Sequence, residues 1–166
     1  MEALIIRHAD AGTADPKQYP DDRLRPLSPE GQRDMLRIAR GMRRLGLEFD
    51  AIFDSGYERA RQTSACICAA YRIDPANIRT LKTLAPDAHP DATAAELRKQ
   101  RGLKSVALVG HEPHLSRFIA HLLAGEAPVG IEMKKAAVCR LDVKRWVIAG
   151  ATLLALLPPK ALKKLG

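Results

Sequence analysis

The sequence predicts one α/β domain over residues 1–166, a three-layer α/β/α sandwich around a mostly parallel central sheet. Three observations predict it. Short aliphatic runs ("ALIIR", "FDAIFDS", "SVALVG") alternate with stretches of helical spacing, the pattern of strand–helix–strand units. No internal repeat or Pro/Gly/Ser-rich linker divides the chain. The length of 166 residues, 46% of them hydrophobic, suits a single core.

Each element has its own signal. "ALIIR" (3–7) is a buried strand, because the apolar run is short and lacks helical spacing. "HADAGTADPKQYPDDRLRPLSPEG" follows, rich in Pro, Asp and Gly, and reads as a long functional loop. Ser28 caps a helix with Pro29 at its first position and Glu30 at the positive end of its dipole. That helix runs to about Leu45, places Met35, Ile38, Met42 and Leu45 on one face, and ends at Gly46. A strand over 49–55 precedes a helix over 57–71, which Asp74-Pro75 terminates. "NIRTLK" is a weaker strand, and 91–102 a helix with Asp91 as its cap. "SVALVG" (105–110) is the clearest strand. The helix after it spans Pro113–Leu123, with Leu115, Phe118, Ile119, Leu122 and Leu123 inward. Strands over 136–143 and 151–157 join through Lys144-Arg145, and the tail forms a short helix.

Composition narrows the function. The formal net charge of +8 favours acidic partners, yet aromatics are only 4% of the chain, so a base-stacking face and a nucleic-acid partner are not expected. Three cysteines build no disulfide framework and read as reduced fillers of a cytoplasmic protein. The start "MEALIIRH" lacks the features of a signal peptide, and "WVIAGATLLALL" is too short to span a bilayer.

Ligands of open α/β sheets bind beyond the carboxyl ends of the strands. Three strand ends there carry chemistry: Arg7-His8, Asp54-Ser55 with Arg59 a turn later, and Gly110-His111-Glu112. Arg7, His8, Arg59 and His111 are expected to converge on one cavity, with Arg25 closing over it from the loop. Guanidinium groups match a phosphate dianion with paired hydrogen bonds. Their charge also disfavours protonation of a neighbouring imidazole, so His8 keeps the lone pair needed to attack phosphorus. His111 is placed to hydrogen-bond the equatorial oxygens as charge develops.

Taken singly, each of these residues has an ordinary structural reading; their agreement across three strand ends does not. Arg61 is expected to be solvated, His89 a loop residue, His121 structural and His114 a surface residue of the first helical turn. No cofactor or metal is called for: "HEPH" (111–114) lacks the helical His-Glu-x-x-His spacing, and dense arginine opposes a cation. A Walker loop is missing, and Ser28 stands in no nucleophile elbow.

These motifs resemble those of the histidine phosphatase (phosphoglycerate mutase-like) superfamily. "LIIRHAD" resembles its Arg-His-Gly motif, "DSGYERARQT" its Ser-Pro-x-x-Arg-Ala-x-Gln-Thr segment, and "VALVGHEPHLS" the strand end with its second histidine. Length, "RPLSPEGQR" and "LLALLPPKAL" are closer to the SixA-type phosphohistidine phosphatase branch. The resemblance implies that His8 accepts the phosphoryl group, that Arg7, Arg59 and Arg25 hold it, and that His111 completes the pocket. Ala9 stands where the family has glycine, and Gly56 where it has proline. Larger relatives carry an acidic proton donor in an insertion that is short here, leaving Asp87 and Glu112 as candidate general acids. A phosphoramidate departs as an imidazole and needs little help from an acid. The expected substrate is therefore phosphohistidine on an acidic protein partner. A small phosphoester or phosphoanhydride substrate, or a non-catalytic polyanion-binding role, remains as an alternative.

Overall fold

The computed structural model describes residues 1–125, 127 and 129–166. The strands are β1 (Glu2–Arg7), β2 (Ala51–Asp54), β3 (Ile78–Thr80), β4 (Ser105–Gly110), β5 (Val138–Val143) and β6 (Ala151–Leu157). The helices are α1 (Pro29–Arg44), α2 (Glu58–Tyr71), α3 (Pro90–Arg98), α4 (His114–Ala124) and α5 (Pro159–Leu165). The six strands form one sheet in the order β3-β2-β4-β1-β5-β6. The first four run parallel; β5 and β6 run antiparallel at one side. The connection from β5 to β6 is too short for a crossover, so the pair closes as an antiparallel hairpin.

The sheet is mostly parallel and covered on both faces, as the aliphatic runs predict. β1 shows why. Its residues Ala3 to Ile6 are wholly buried, and their side chains alternate between two cores. Ala3 and Ile5 join Leu97 of α3 and Leu115 and Phe118 of α4. Leu4 and Ile6 join Met35, Ile38 and Met42 of α1, Ile67 of α2 and Leu162 of α5. Truncating Ile5 or Ile6 to alanine would cost about 2–5 kcal/mol, since β1 is held from both sides.

Several boundaries differ from expectation. Leu45 is exposed rather than inward: it is the C-cap residue of α1, one position beyond the end of the helix. Helix α3 begins after His89, not Asp91, because the His89 Nδ1 accepts from the Asp91 N–H. It also stops at Arg98, whose guanidinium donates to the Trp146 carbonyl at 2.6 Å. β5 starts at Val138 rather than 136, because Ala136 has φ 60°, outside the extended region. His114 is fully buried, not surface: α3 packs across the start of α4, and Thr93 and the Ala88 carbonyl take its two nitrogens at 3.0 Å each.

Candidate active site

Parallel neighbours in register deliver their carboxyl ends to one place. Arg7 pairs with Gly110 and Asp54 with Val109, and the His8 N–H donates to the Gly110 carbonyl at 3.0 Å. The next residues along these strands are His8, His111 and Ser55. Because β4 lies between β1 and β2, His111 stands between the other two. Its ring centroid is 4.9 Å from that of His8, tilted by 51°, and its Nε2 is 2.7 Å from Ser55 Oγ. Gly56, at φ +84°, turns the chain sharply after Ser55, an αL conformation that glycine adopts freely. Arg59 thereby enters from the first turn of α2. The Tyr57 ring lies 4.7 Å from His111, with the Arg59 guanidinium 5.2 Å from the Tyr57 centroid.

The hydrogen bonds define which nitrogen of His8 is reactive. Nδ1 is 2.7 Å from the Ala9 carbonyl, which can only accept, so Nδ1 carries the proton. Nε2 is then the lone-pair nitrogen, and Arg59 Nε donates to it at 3.3 Å. That contact is long and displaceable by a better acceptor. Thr63 latches the arrangement: its hydroxyl accepts from the Ala9 N–H at 3.1 Å and donates to the Arg59 carbonyl at 2.7 Å. Gly31 serves the same end of β1, since a Cβ there would stand 2.1 Å from the Asp10 carbonyl oxygen on which α1 rests.

Both imidazoles are held neutral. Burial, followed by the charges of Arg59, Arg7 and Arg25, lowers the His8 pKa to about 4, against an opposing pull from the Ala9 carbonyl. Burial, then His8, Arg59 and Arg7, lowers that of His111 to about 2. His111 Nε2 pairs with the Ser55 hydroxyl, and its Nδ1 is a buried atom without a partner among the described residues. Arg7 Nη1 donates to the Met133 carbonyl at 2.8 Å, while its buried Nε also lacks a partner among the described residues. The site thus offers a lone pair, unused hydrogen-bonding capacity and fixed positive charge, the requirements of phosphoryl transfer.

The structure brings His8, His111 and Arg59 together, with Arg7 near enough for its charge to act on both imidazoles. Arg25 joins them at one remove: its Nε donates to Asp22 at 2.7 Å, and the same carboxylate meets Arg59 Nη2 at 3.0 Å. The two candidate acids stand differently. Asp87 is exposed and lines a hollow of about 530 Å³ with His89, Asp91 and His121. Glu112 accepts from the Ser116 N–H at 3.1 Å and hydroxyl at 2.6 Å, capping the start of α4. Another hollow, of about 540 Å³, lies between α2 and β3. Neither hollow is lined by His8 or His111, so volume does not mark the chemistry here. Thr63 and Asp22 were not singled out from sequence, and Ser55 was named as a strand end without a role. Among the described residues, no group of three or more His, Cys, Asp or Glu side chains is placed to hold a metal ion. No helix among them is long and apolar enough to cross a membrane.

No family model matches the chain. An uncharacterized protein of Picosynechococcus sp. is 32% identical over 143 residues, covering 85% of this chain and 84% of that protein. The phosphohistidine phosphatase SixA of Escherichia coli K12 is 26% identical over 144 residues, covering 86% of each. The structure of the protein histidine phosphatase SixA complexed with tungstate superposes with a TM-score of 0.83 at 21% identity, over 98% of this chain and 99% of that one, so the fold is shared.

Proposed function

The chain belongs to the histidine phosphatase superfamily, and on that premise we propose that it hydrolyses phosphohistidine on a partner protein through phospho-His8. One observation carries the reading: a neutral His8 with its lone pair on Nε2, beside a second neutral imidazole and three arginines. In the first step Nε2 attacks phosphorus, and the bond from phosphorus to the substrate imidazole breaks with its electron pair leaving on that ring. Arg59 Nε exchanges its contact with His8 for a phosphoryl oxygen, and His111 Nδ1–H donates to another. The phosphorylated His8 ring carries positive charge, which the Ala9 carbonyl stabilises at Nδ1. Water then attacks phosphorus, and His8 departs neutral with Nδ1 still protonated. Charge stabilisation comes from guanidinium groups, so turnover is expected to survive a chelator. The substrate is phosphohistidine on an acidic protein surface that a chain of net charge +8 attracts.

Incubation with a ³²P-phosphohistidine carrier protein tests this. The expected result is acid-labile, base-stable label on His8, trapped by rapid quench and lost in His8→Ala. Label persisting in His8→Ala, or faster turnover of sugar phosphates than of the carrier, overturns it.

A further inference from the structure

We propose that Asp22 selects the leaving group: its carboxylate favours departure of a proton-bearing imidazole over departure of an anion. The inference rests on His8 being the phosphoryl acceptor and goes on to name the residue that sets substrate class.

Attack by Nε2 is in line, so the leaving group stands on the far side of phosphorus. The His8 and His111 rings are buried, at 7% and 1% exposed, and the loop that follows β1 reaches His8 through Arg59, which bonds both His8 Nε2 and Asp22. On that loop the Asp22 side chain is half exposed. It is also firmly placed. Its Oδ1 accepts from Arg25 Nε at 2.7 Å, Oδ2 meets Arg59 Nη2 at 3.0 Å, and its backbone carbonyl accepts from Arg59 Nη1 at 2.7 Å. Arg59 is planar and rigid, with Nε on His8 Nε2 and Nη2 on Asp22. The carboxylate therefore sits one guanidinium away from the nucleophilic nitrogen.

Other carboxylates near the mouth are engaged elsewhere. Asp10 is held by Lys135 at 2.6 Å and Ser28 at 2.8 Å, and Glu112 by Ser116. Each Asp22 oxygen accepts one guanidinium contact here and keeps lone-pair capacity for a second donor.

The chemistry follows from charge. A phosphorylated imidazole carries phosphorus on one nitrogen and can carry a proton on the other. When the phosphorus–nitrogen bond breaks, its pair goes to the ring, which leaves as neutral imidazole because the second nitrogen is protonated. A carboxylate beside that N–H favours the protonated ring. An alkoxide or phosphate leaving group gains negative charge in the same place and is repelled. The two guanidiniums keep Asp22 anionic, with its pKa held below the usual carboxylate value chiefly by the Arg25 hydrogen bond.

The test is steady-state turnover of phosphoimidazole and 4-nitrophenyl phosphate by the wild-type chain, Asp22→Asn and Asp22→Glu, with thermal melts confirming the fold. In Asp22→Asn, kcat/KM for phosphoimidazole is expected to fall about tenfold, the size of one charge-assisted hydrogen bond, while that for 4-nitrophenyl phosphate holds or rises. Asp22→Glu is expected to keep the preference for phosphoimidazole. A parallel fall on both substrates overturns the proposal, because it would show that Asp22 only positions the arginines; so does no change on either. A wild-type chain that turns over neither substrate and takes no label on His8 refutes the phosphatase reading itself.

Discussion

Two histidines three residues apart, His111 and His114, sit in nearly the same local setting and are built for different ends. Each is buried, each is held neutral by that burial, and each has a hydroxyl at Nε2: Ser55 at 2.7 Å for His111, Thr93 at 3.0 Å for His114. The difference lies at the other nitrogen. His114 Nδ1 donates to the Ala88 carbonyl at 3.0 Å, so the whole ring is consumed in joining α3 to α4. His111 Nδ1 has no partner among the described residues, and the neighbouring ring of His8 has its Nε2 tied only by a 3.3 Å contact from Arg59. Burial and a depressed pKa are therefore shared by His114, whose two ring nitrogens are both bonded, and by His111. What sets His111 and His8 apart is hydrogen-bonding capacity left unused among the described residues.

The largest test of this contrast is His8→Ala. It removes the proposed nucleophile, and turnover of the phosphorylated carrier is expected to fall by at least about a thousandfold. Circular dichroism should remain native, since β1 keeps its backbone pairing and its aliphatic core. A variant retaining a tenth of wild-type turnover would move the nucleophile elsewhere and dissolve the contrast.

Acid stability comes next, and there the two regions should behave alike. The His8 pKa is about 4 in the fold against 6.5 for the free side chain. Between those values the unfolded chain binds a proton that the folded ring refuses. Stability from the neutral ring is thus fully present above about pH 6.5 and is lost as the pH falls through about 4. At pH 4.5 the loss is about 2 kcal/mol for His8. Urea melts at pH 7 and pH 4.5 should show His8→Gln losing less stability between the two than the wild type. His114→Gln should show a change of the same sign, because its pKa is also lowered by burial. If only His8→Gln flattens the dependence, the environments are less similar than their burial indicates.

Sequence made the edge legible but not the partners at it. Arg7, His8, Arg59 and His111 could be read because parallel strands must end side by side, whatever the rest of the chain does. Thr63 and Asp22 could not, since threonine and aspartate are ordinary turn and helix residues whose role depends on what packs opposite, and Ser55 was legible as a strand end but not as the partner of His111. The same non-local cause hid the burial of His114. Nothing within α4 announces that α3 will cross its first turn. Leu45 misled for a local reason: the helical period continued on paper past the point where the backbone reached its cap. Ala136 likewise looked like strand by composition, while its positive φ and its N–H bond to the Arg7 carbonyl at 3.1 Å place it in the turn beside the site.

Removing the two hydroxyls separately sharpens the comparison. Ser55→Ala frees His111 to rotate and lets its proton shift from Nδ1 to Nε2, away from where a phosphoryl oxygen would bind. Turnover is expected to fall roughly tenfold, mostly in kcat, for the loss of an oriented donor in the transition state. Ser55 Oγ also accepts from the Tyr57 N–H at 3.3 Å, so a fall in stability of about 1 kcal/mol should accompany it. An unchanged kcat would mean that His111 is held by packing alone.

Thr93→Val is the matching change in the other region and should have the smallest effect on catalysis. It keeps the shape of a wholly buried side chain and deletes the hydroxyl that faces His114 Nε2 and donates to the Thr83 carbonyl at 2.7 Å. The orphaned nitrogen cannot reach water, so a loss of about 1–2 kcal/mol is expected in a urea melt. Turnover should stay within about twofold of wild type, because the His114 ring is still fixed by Ala88 and stacked at 5.8 Å on Phe118. The two variants together form a crossed pair: one hydroxyl costs rate, its counterpart costs only stability. Should Thr93→Val slow turnover as much as Ser55→Ala does, the path from α3 through His114 to His111 would be part of the catalytic apparatus, and the unused nitrogen would no longer be what separates the two histidines.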